Sequence, residues 1–210
     1  MADALDLLTL AEAKTAVNQS GVTTYDVELA AWVTGVSRRL DKAVGPVVQR
    51  TVTAELQDGG REHVFTNLYP VTSFTTVKEY VDTTSTTLTR ETNATKPDSA
   101  YLIEPYAADP TLFSGKVRRR GGGSDVCFAV GARNVELTYV AGRSASTSAV
   151  DELFKTAARL FIQHLWNANR PSTGSVGEFE IPQANWPRFA VPNAVKELLT
   201  DFWQSDARIG

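Results

Sequence analysis

Apolar residues recur along this chain with two different periods, and the switches between them divide it into three parts. Between 24 and 44, Tyr25, Leu29, Trp32, Val33, Val36, Leu40 and Val44 fall three or four residues apart, the spacing of a helix with one wide apolar face. Glu28, Arg38, Arg39, Asp41 and Lys42 take the other side, and Gly45-Pro46 supplies the stop. Upstream, Thr9-Leu-Ala-Glu12 reads as a capping box that opens a shorter helix running to about Asn18, with Ser20-Gly21 ending it.

From 47 the period falls to two. Val48, Val52, Ala54 and Leu56 alternate with polar residues up to Asp58-Gly59-Gly60, and the chain returns from His63 to Leu68. That pattern predicts a hairpin. Tyr69-Pro70 interrupts it, and Val71 to Val81 forms a further strand or strand pair. Residues 82–99 are rich in threonine but poor in apolar partners, which predicts an exposed hairpin or loop. Short strands are expected at 101–106 and 115–120, with Gly121-Gly122-Gly123-Ser124 as a flexible tip and 126–130 as the return. Val135, Leu137 and Tyr139 then alternate with Asn134, Glu136 and Thr138, the period of a half-buried strand.

A helical period resumes after a Ser/Ala/Thr linker. Leu153, Phe154, Ala157, Leu160, Phe161, His164 and Leu165 make one broad apolar face, which Arg170-Pro171 ends. Over 178–192, Pro182, Pro187 and Pro192 punctuate an extended segment carrying Phe179, Ile181, Trp186 and Phe189. A short last helix over 193–203 presents Val195, Leu198, Leu199 and Phe202 on one side. The fold class is therefore α+β: a helical bundle of two N-terminal helices, one long helix and a short C-terminal helix, with an inserted antiparallel β region. The expected organisation is a single domain over 1–210, built from N-terminal helices (1–46), a β insertion (47–142), the long helix (143–169) and a C-terminal segment (170–210).

Composition narrows the function without naming it. The 24 acidic residues outnumber the 21 lysines and arginines, for a net charge of −3, the wrong sign for a protein whose main task is gripping nucleic acid. One cysteine, Cys127, excludes an intrachain disulfide and a zinc cluster. No apolar run approaches the ~20 residues of a membrane span, and Asp3 and Asp6 make the start of the chain unlike a secretory signal. The expected setting is soluble, reducing and intracellular, with no cofactor and no membrane partner.

Catalytic patterns are equally sparse. His63 and His164 lie far apart in the sequence, and no nucleophile elbow, zinc-protease helix, phosphate-binding loop or dinucleotide fingerprint occurs. His164 reads as a core-edge residue, Cys127 as a small buried thiol, and Glu178 and Glu180 as solvated charges rather than an acid/base pair. No residue is assigned a catalytic or metal-binding role, and the chain reads as a non-enzyme.

Two clusters carry a choice. Lys116, Arg118, Arg119 and Arg120 place four cations in five residues beside the glycines: a solvated loop, a subunit seam of ion pairs, or a contact to DNA phosphates. Trp186 and Phe189 either cover their own core or anchor a partner.

The order of these elements resembles one family. Pro70-Val-Thr-Ser73 follows the first β pair, and Arg133-Asn-Val-Glu-Leu-Thr-Tyr-Val-Ala-Gly142 leads through a short linker into Asp151-Glu-Leu, Ala157-Ala158, Leu160 and His164-Leu-Trp166. With the two N-terminal helices, this is similar to the head-to-tail connector (adaptor, or head-completion) proteins of long-tailed bacteriophages, over about residues 5 to 200. The resemblance implies a structural virion protein of the neck, made in the host cytoplasm. It would form a dodecameric ring with copies of itself beneath the portal protein, extend the channel for dsDNA without sequence-specific binding, and dock the next neck or tail protein (the stopper). It places the portal interface at Phe179, Ile181, Trp186, Phe189, Leu198, Phe202 and Trp203. The charged face of the second helix, Glu28, Arg38, Arg39 and Asp41, is the candidate subunit interface. Another neck component, stopper or tail-terminator, and a nucleic-acid-binding module acting through the basic hairpin are the alternatives.

Overall fold

The computed structural model describes residues 3–169 and 190–203. The chain divides into two compact units, Met1–Val44 with Ser146–Gly210, and Gly45–Ala145.

The first unit is helical: α1 (Leu10–Ala16), α2 (Asp26–Val44), α3 (Glu152–Asn169) and α4 (Asn193–Leu198). The capping box at Thr9 forms, with the Glu12 N–H donating to Thr9 Oγ1 and Glu12 Oε2 accepting from the Thr9 N–H, so two otherwise orphaned donors are satisfied. On α2, Leu29, Val33, Val36, Leu40 and Val44 are buried as the period predicts, and Ser37 joins them by accepting the Leu7 N–H at 2.9 Å. That bond helps seat a stretch ahead of α1 in which Leu7 and Leu8 are fully buried. Asp6, 1% exposed, accepts from Thr34 Oγ1 and the Asp3 N–H. Burial pushes its carboxyl above the usual range against the pull of those hydrogen bonds.

The long helix α3 differs from expectation in which face it buries. Phe154, Lys155, Ala157, Ala158, Phe161, Ile162 and Leu165 are buried, whereas Leu160 is exposed and Leu153 and His164 are half-buried. The reason is that α1, α2 and α4 all pack on α3, so its buried arc is rotated toward Lys155 and Ile162. Lys155 tolerates this because its amine meets Glu12 of α1 at 2.9 Å. Tyr25 and Trp32 set their rings edge-on to Trp166 at 5.2 and 6.2 Å. At the other end of α3, Phe154 packs on Phe202, centroids 5.2 Å apart. Beyond α4, a 3-10 turn over Thr200–Phe202 completes the last helical segment.

The second unit is a nine-stranded, mostly antiparallel sheet: β1 (Arg50–Gln57), β2 (His63–Phe65), β3 (Val71–Val81), β4 (Thr84–Thr87), β5 (Thr89–Arg90), β6 (Ala100–Tyr106), β7 (Asp109–Gly121), β8 (Ser124–Asp125) and β9 (Val135–Ala141). β5 and β6 are the parallel pair. Strands β3 and β7 meet at a single position, Val71 with Phe113. At this corner the sheet turns, so that β1, β9, β3 and β4 form one layer and β2, β7, β6 and β5 the other. Between them lies a core containing Val77, Leu137 and Tyr139 from one layer and Val64, Ile103 and Val117 from the other. Alternation along β9 is as predicted, with Val135, Leu137, Tyr139 and Ala141 all buried.

The expected hairpin of 48–56 with 63–68 does not form. β1 pairs with β9 and β2 with β7. Alternation reports that a strand is half-buried but not which strand it joins. The intervening turn is held from outside: the Gly59 N–H donates to Asn134 Oδ1 at 2.8 Å and the Gly60 N–H to Ala129 O at 3.0 Å. It therefore carries the chain from one layer to the other. Gly59 is required there, because a Cβ would lie 2.1 Å from Ala129 O. The threonine-rich β4 pairs with β3 and is exposed throughout.

Candidate interaction surfaces

The basic cluster is built into β7 rather than onto a loose tip. Strand alternation sends Lys116, Arg118 and Arg120 to one face and Val117 and Arg119 to the other. On the first face the cations form a ladder with acids of neighbouring strands. Lys116 meets Glu104 at 3.2 Å, Arg118 meets Asp125 at 2.6 Å and approaches Glu104 at 3.7 Å, and Arg120 meets Glu91 at 2.9 Å and also Asp125. Lys96 adds a second cation to Glu91 at 2.8 Å. Hydrogen bonds from Arg120 and then Lys96 hold the Glu91 carboxyl below its usual range. Four cations against three carboxylates leave this face one positive charge. On the inner face, Arg119 meets Glu79 of β3 at 3.2 Å. The cluster is thus compensated within its own unit to within one charge.

The other residues singled out from sequence are dispersed. His63 stands half-buried on β2 with its ring edge-on to Phe65, while His164 is half-buried on α3 in the helical unit. Cys127 is exposed, not buried. In the irregular chain over 126–130, Phe128 is the residue that turns inward, 1% exposed, its N–H on Arg61 O. Cys127, one position earlier, faces out. Among the described residues no group of three or more His, Cys, Asp or Glu is placed to hold a metal ion, and no helix is long and apolar enough to cross a membrane.

Of the C-terminal candidates, Phe179, Ile181, Trp186 and Phe189 lie outside the described residues. Leu198 is half-buried, Phe202 packs inward on Phe154, and Trp203 is 36% exposed.

On α2 the outward face is more than a solvated charge pattern. Val27 is 86% exposed. Two grooves flank the helix: one of about 560 Å³ on the α1 side, lined by Leu10, Val27, Ala30 and Arg38, and one of about 260 Å³ on the α3 side, lined by Trp32, Arg39, Phe161 and Leu165. Ala31 and Gly35 line both. Arg38 and Arg39 are exposed, as is Lys42 one turn on, whereas Glu28 and Asp41 are half-buried. The signal available in sequence was the absence of any large side chain at 30, 31 and 35 within an otherwise ordinary helix.

No family model matches the sequence, and no curated protein matches it. Among solved structures, the chain is similar to one described as the neck of an empty GTA particle computed with C6 symmetry. The TM-score is 0.56 and the identity 16%, over 99% of this chain and 96% of that one. At that identity the likeness is one of fold.

Proposed function

We propose that this chain is a structural, non-enzymatic component of the neck of a phage-like particle. The observation that carries the reading is the fold likeness to a chain of a particle neck, which spans nearly the whole of both chains. The order of elements in the sequence points the same way independently.

Within the neck, the adaptor position between portal and tail is the finer reading. There the chain would form a ring with copies of itself, extend the DNA channel and dock the next neck protein. C6 symmetry is common to rings of six and of twelve, so a dodecamer is compatible with the particle it is similar to. A ring needs two different, complementary faces on each subunit, and the α2 face with Arg38 and Arg39, flanked by Glu28 and Asp41, is the candidate for one of them. Portal contact is proposed for the C-terminal region: Phe179, Ile181, Trp186 and Phe189, with Trp203 as the exposed residue of the last helical segment. Leu198 and Phe202 would support that contact from within, since Phe202 packs on Phe154.

The basic cluster fits a seam or a stiffened strand better than a DNA clamp, because its cations already face carboxylates. A conduit that releases DNA also gains nothing from many phosphate contacts, each of which steepens the salt dependence of binding by roughly 0.9 log units per log salt. Electron cryomicroscopy of the particle neck tests the assignment: density for this chain is expected as a ring directly beneath the portal. A position at the stopper or tail-terminator level would overturn the adaptor role while keeping the neck, and absence from the neck would overturn both.

A further inference from the structure

Among the described residues, helix α3 presents more apolar surface than its neighbours in the bundle cover. Leu153, Leu160 and His164, seven and four residues apart, follow one another along one side. All three fall on the apolar face that the sequence predicts, yet Leu160 is 38% exposed and the other two are half-buried. Spacings of seven and four describe a seam that another helix can cover. Beside this seam Asp151 and Glu152 are exposed at the start of α3, Glu152 with Arg159 of the same helix at 2.9 Å, and Asp201, beyond α4, is exposed next to Phe202, which packs on Phe154.

The outward face of α2 is its counterpart in shape and charge. Its grooves, floored by Ala31 and Gly35, accept side chains from an approaching helix. Val27 projects between solvent and groove, and the C-terminal half ends in Arg38, Arg39 and Lys42. Among the described residues, the largely exposed Arg38 pairs with Asp3 at 3.4 Å, and Asp41 lies half-buried between these three cations. One face is apolar and acidic at the start of its helix, and the other is grooved and basic at the end of its helix.

We propose that these two faces meet between copies: the Leu153–Leu160–His164 seam of one copy seats in the α2 grooves of the next. The helices run antiparallel, so that Asp151 and Glu152 lie against Arg38, Arg39 and Lys42. Antiparallel packing also opposes the two helix dipoles favourably. Since the two faces are different, the contact is heterologous and leaves one of each unused at every step, so that it builds a ring where the rotation between copies closes, rather than a dimer. The proposal rests on the reading that copies of this chain assemble with one another, and it names the surfaces that do so.

Two variants in a Cys127→Ser background test the pairing. Gly35→Cys chains mixed with Leu160→Cys chains are expected to give a disulfide-linked dimer that neither gives alone. With both substitutions in one chain, a ladder of higher multiples is expected. A second measurement uses Gly35→Trp. A Cβ at Gly35 meets nothing within 4 Å, and glycine is a poor helix former, so the variant should fold with an undiminished unfolding midpoint. Its self-association, read by sedimentation, should fall at least tenfold. A Gly35→Trp chain that assembles as tightly as the unmodified one overturns the proposal. Rings of the unmodified chain without the 35–160 cross-link overturn the pairing and leave the ring reading standing. A chain that neither assembles nor cross-links, alone or added to particles lacking it, overturns both.

Discussion

Arg119 on β7 and Glu79 on β3 join the two layers of the β unit, 3.2 Å apart with side chains 11% and 8% exposed. Glu79 spends its other oxygen on the Ala129 N–H at 2.6 Å, so the pair ties together three segments distant in sequence. Removing one partner of a buried pair typically costs about 3–5 kcal/mol, because the other charge is left uncompensated. Arg119→Met is therefore expected to lower the stability of the β unit by about 3 kcal/mol in urea unfolding. Combining it with Glu79→Gln should recover part of that loss. Equal losses for the single and double variants would show that Arg119 acts through packing alone.

Acid should act on the same unit through Glu91. Its folded-state carboxyl sits below the ordinary value of 4.5, with Arg120 as the first cause and Lys96 as the second. A depressed carboxyl pKa contributes stability above the unfolded value and loses it as pH falls through the folded one. Glu91→Gln should therefore be less stable than the unmodified chain at pH 7, with the two stabilities converging below pH 4.5. A constant gap across that range, measured by denaturant unfolding at each pH, would remove Glu91 from the acid response.

Tyr139 is a core residue with a polar end. Its hydroxyl donates to Glu55 at 2.6 Å and accepts the Leu68 N–H at 3.2 Å. Burial, then Glu55, pushes the phenol pKa upward. Tyr139→Phe keeps the packing against Phe74 and strands two partners, which should cost about 1–3 kcal/mol. Near-UV circular dichroism should stay native-like at room temperature while the melting temperature drops.

DNA binding by the basic cluster should be weak. With the ladder compensated, an electrophoretic shift with dsDNA at about 0.15 M salt is expected to be absent. Arg118→Ala should change thermal stability more than any residual affinity. Strong binding with a steep salt dependence that the triple substitution Arg118/Arg119/Arg120→Ala abolishes would revive the nucleic-acid-binding alternative.

What could be read from the chain depended on how local its cause was. The α2 face and the β9 alternation are set by neighbours three, four or two residues away, and Leu29, Val33, Leu137 and Tyr139 are buried accordingly. The Thr9 cap is equally local. Strand partners were not legible, because β1 and β2 look like a hairpin until the turn at Gly59 is seen to bond to Asn134, 75 residues on. The basic cluster looked like a loose tip because the acids that hold it, Glu79 and Glu91, are 40 and 29 residues away. Ser37 and Lys155 were missed for the same reason: nothing adjacent marks a serine that will bond Leu7, or a lysine that will meet Glu12. Of the interaction surfaces, the charged face of α2 was visible in the sequence. The grooves beside it and the uncovered edge of α3 depend on which helices crowd α3.

The ends of the β unit are bonded to each other: the Arg143 and Ser144 N–H groups both donate to Val47 O, and the Gln49 N–H to Ser144 O. This bears on the order in which the chain acquires structure. The helical unit needs α3 to cover α1 and α2, and about a hundred residues intervene. Closing a loop of that length costs about 2 kcal/mol more than closing one of about ten residues. Once the β unit has folded, its clasped ends reduce the longer closure to the shorter. During synthesis the inserted unit is complete before α3 emerges, so α1 and α2 wait unpartnered while the middle of the chain prepares their meeting with it.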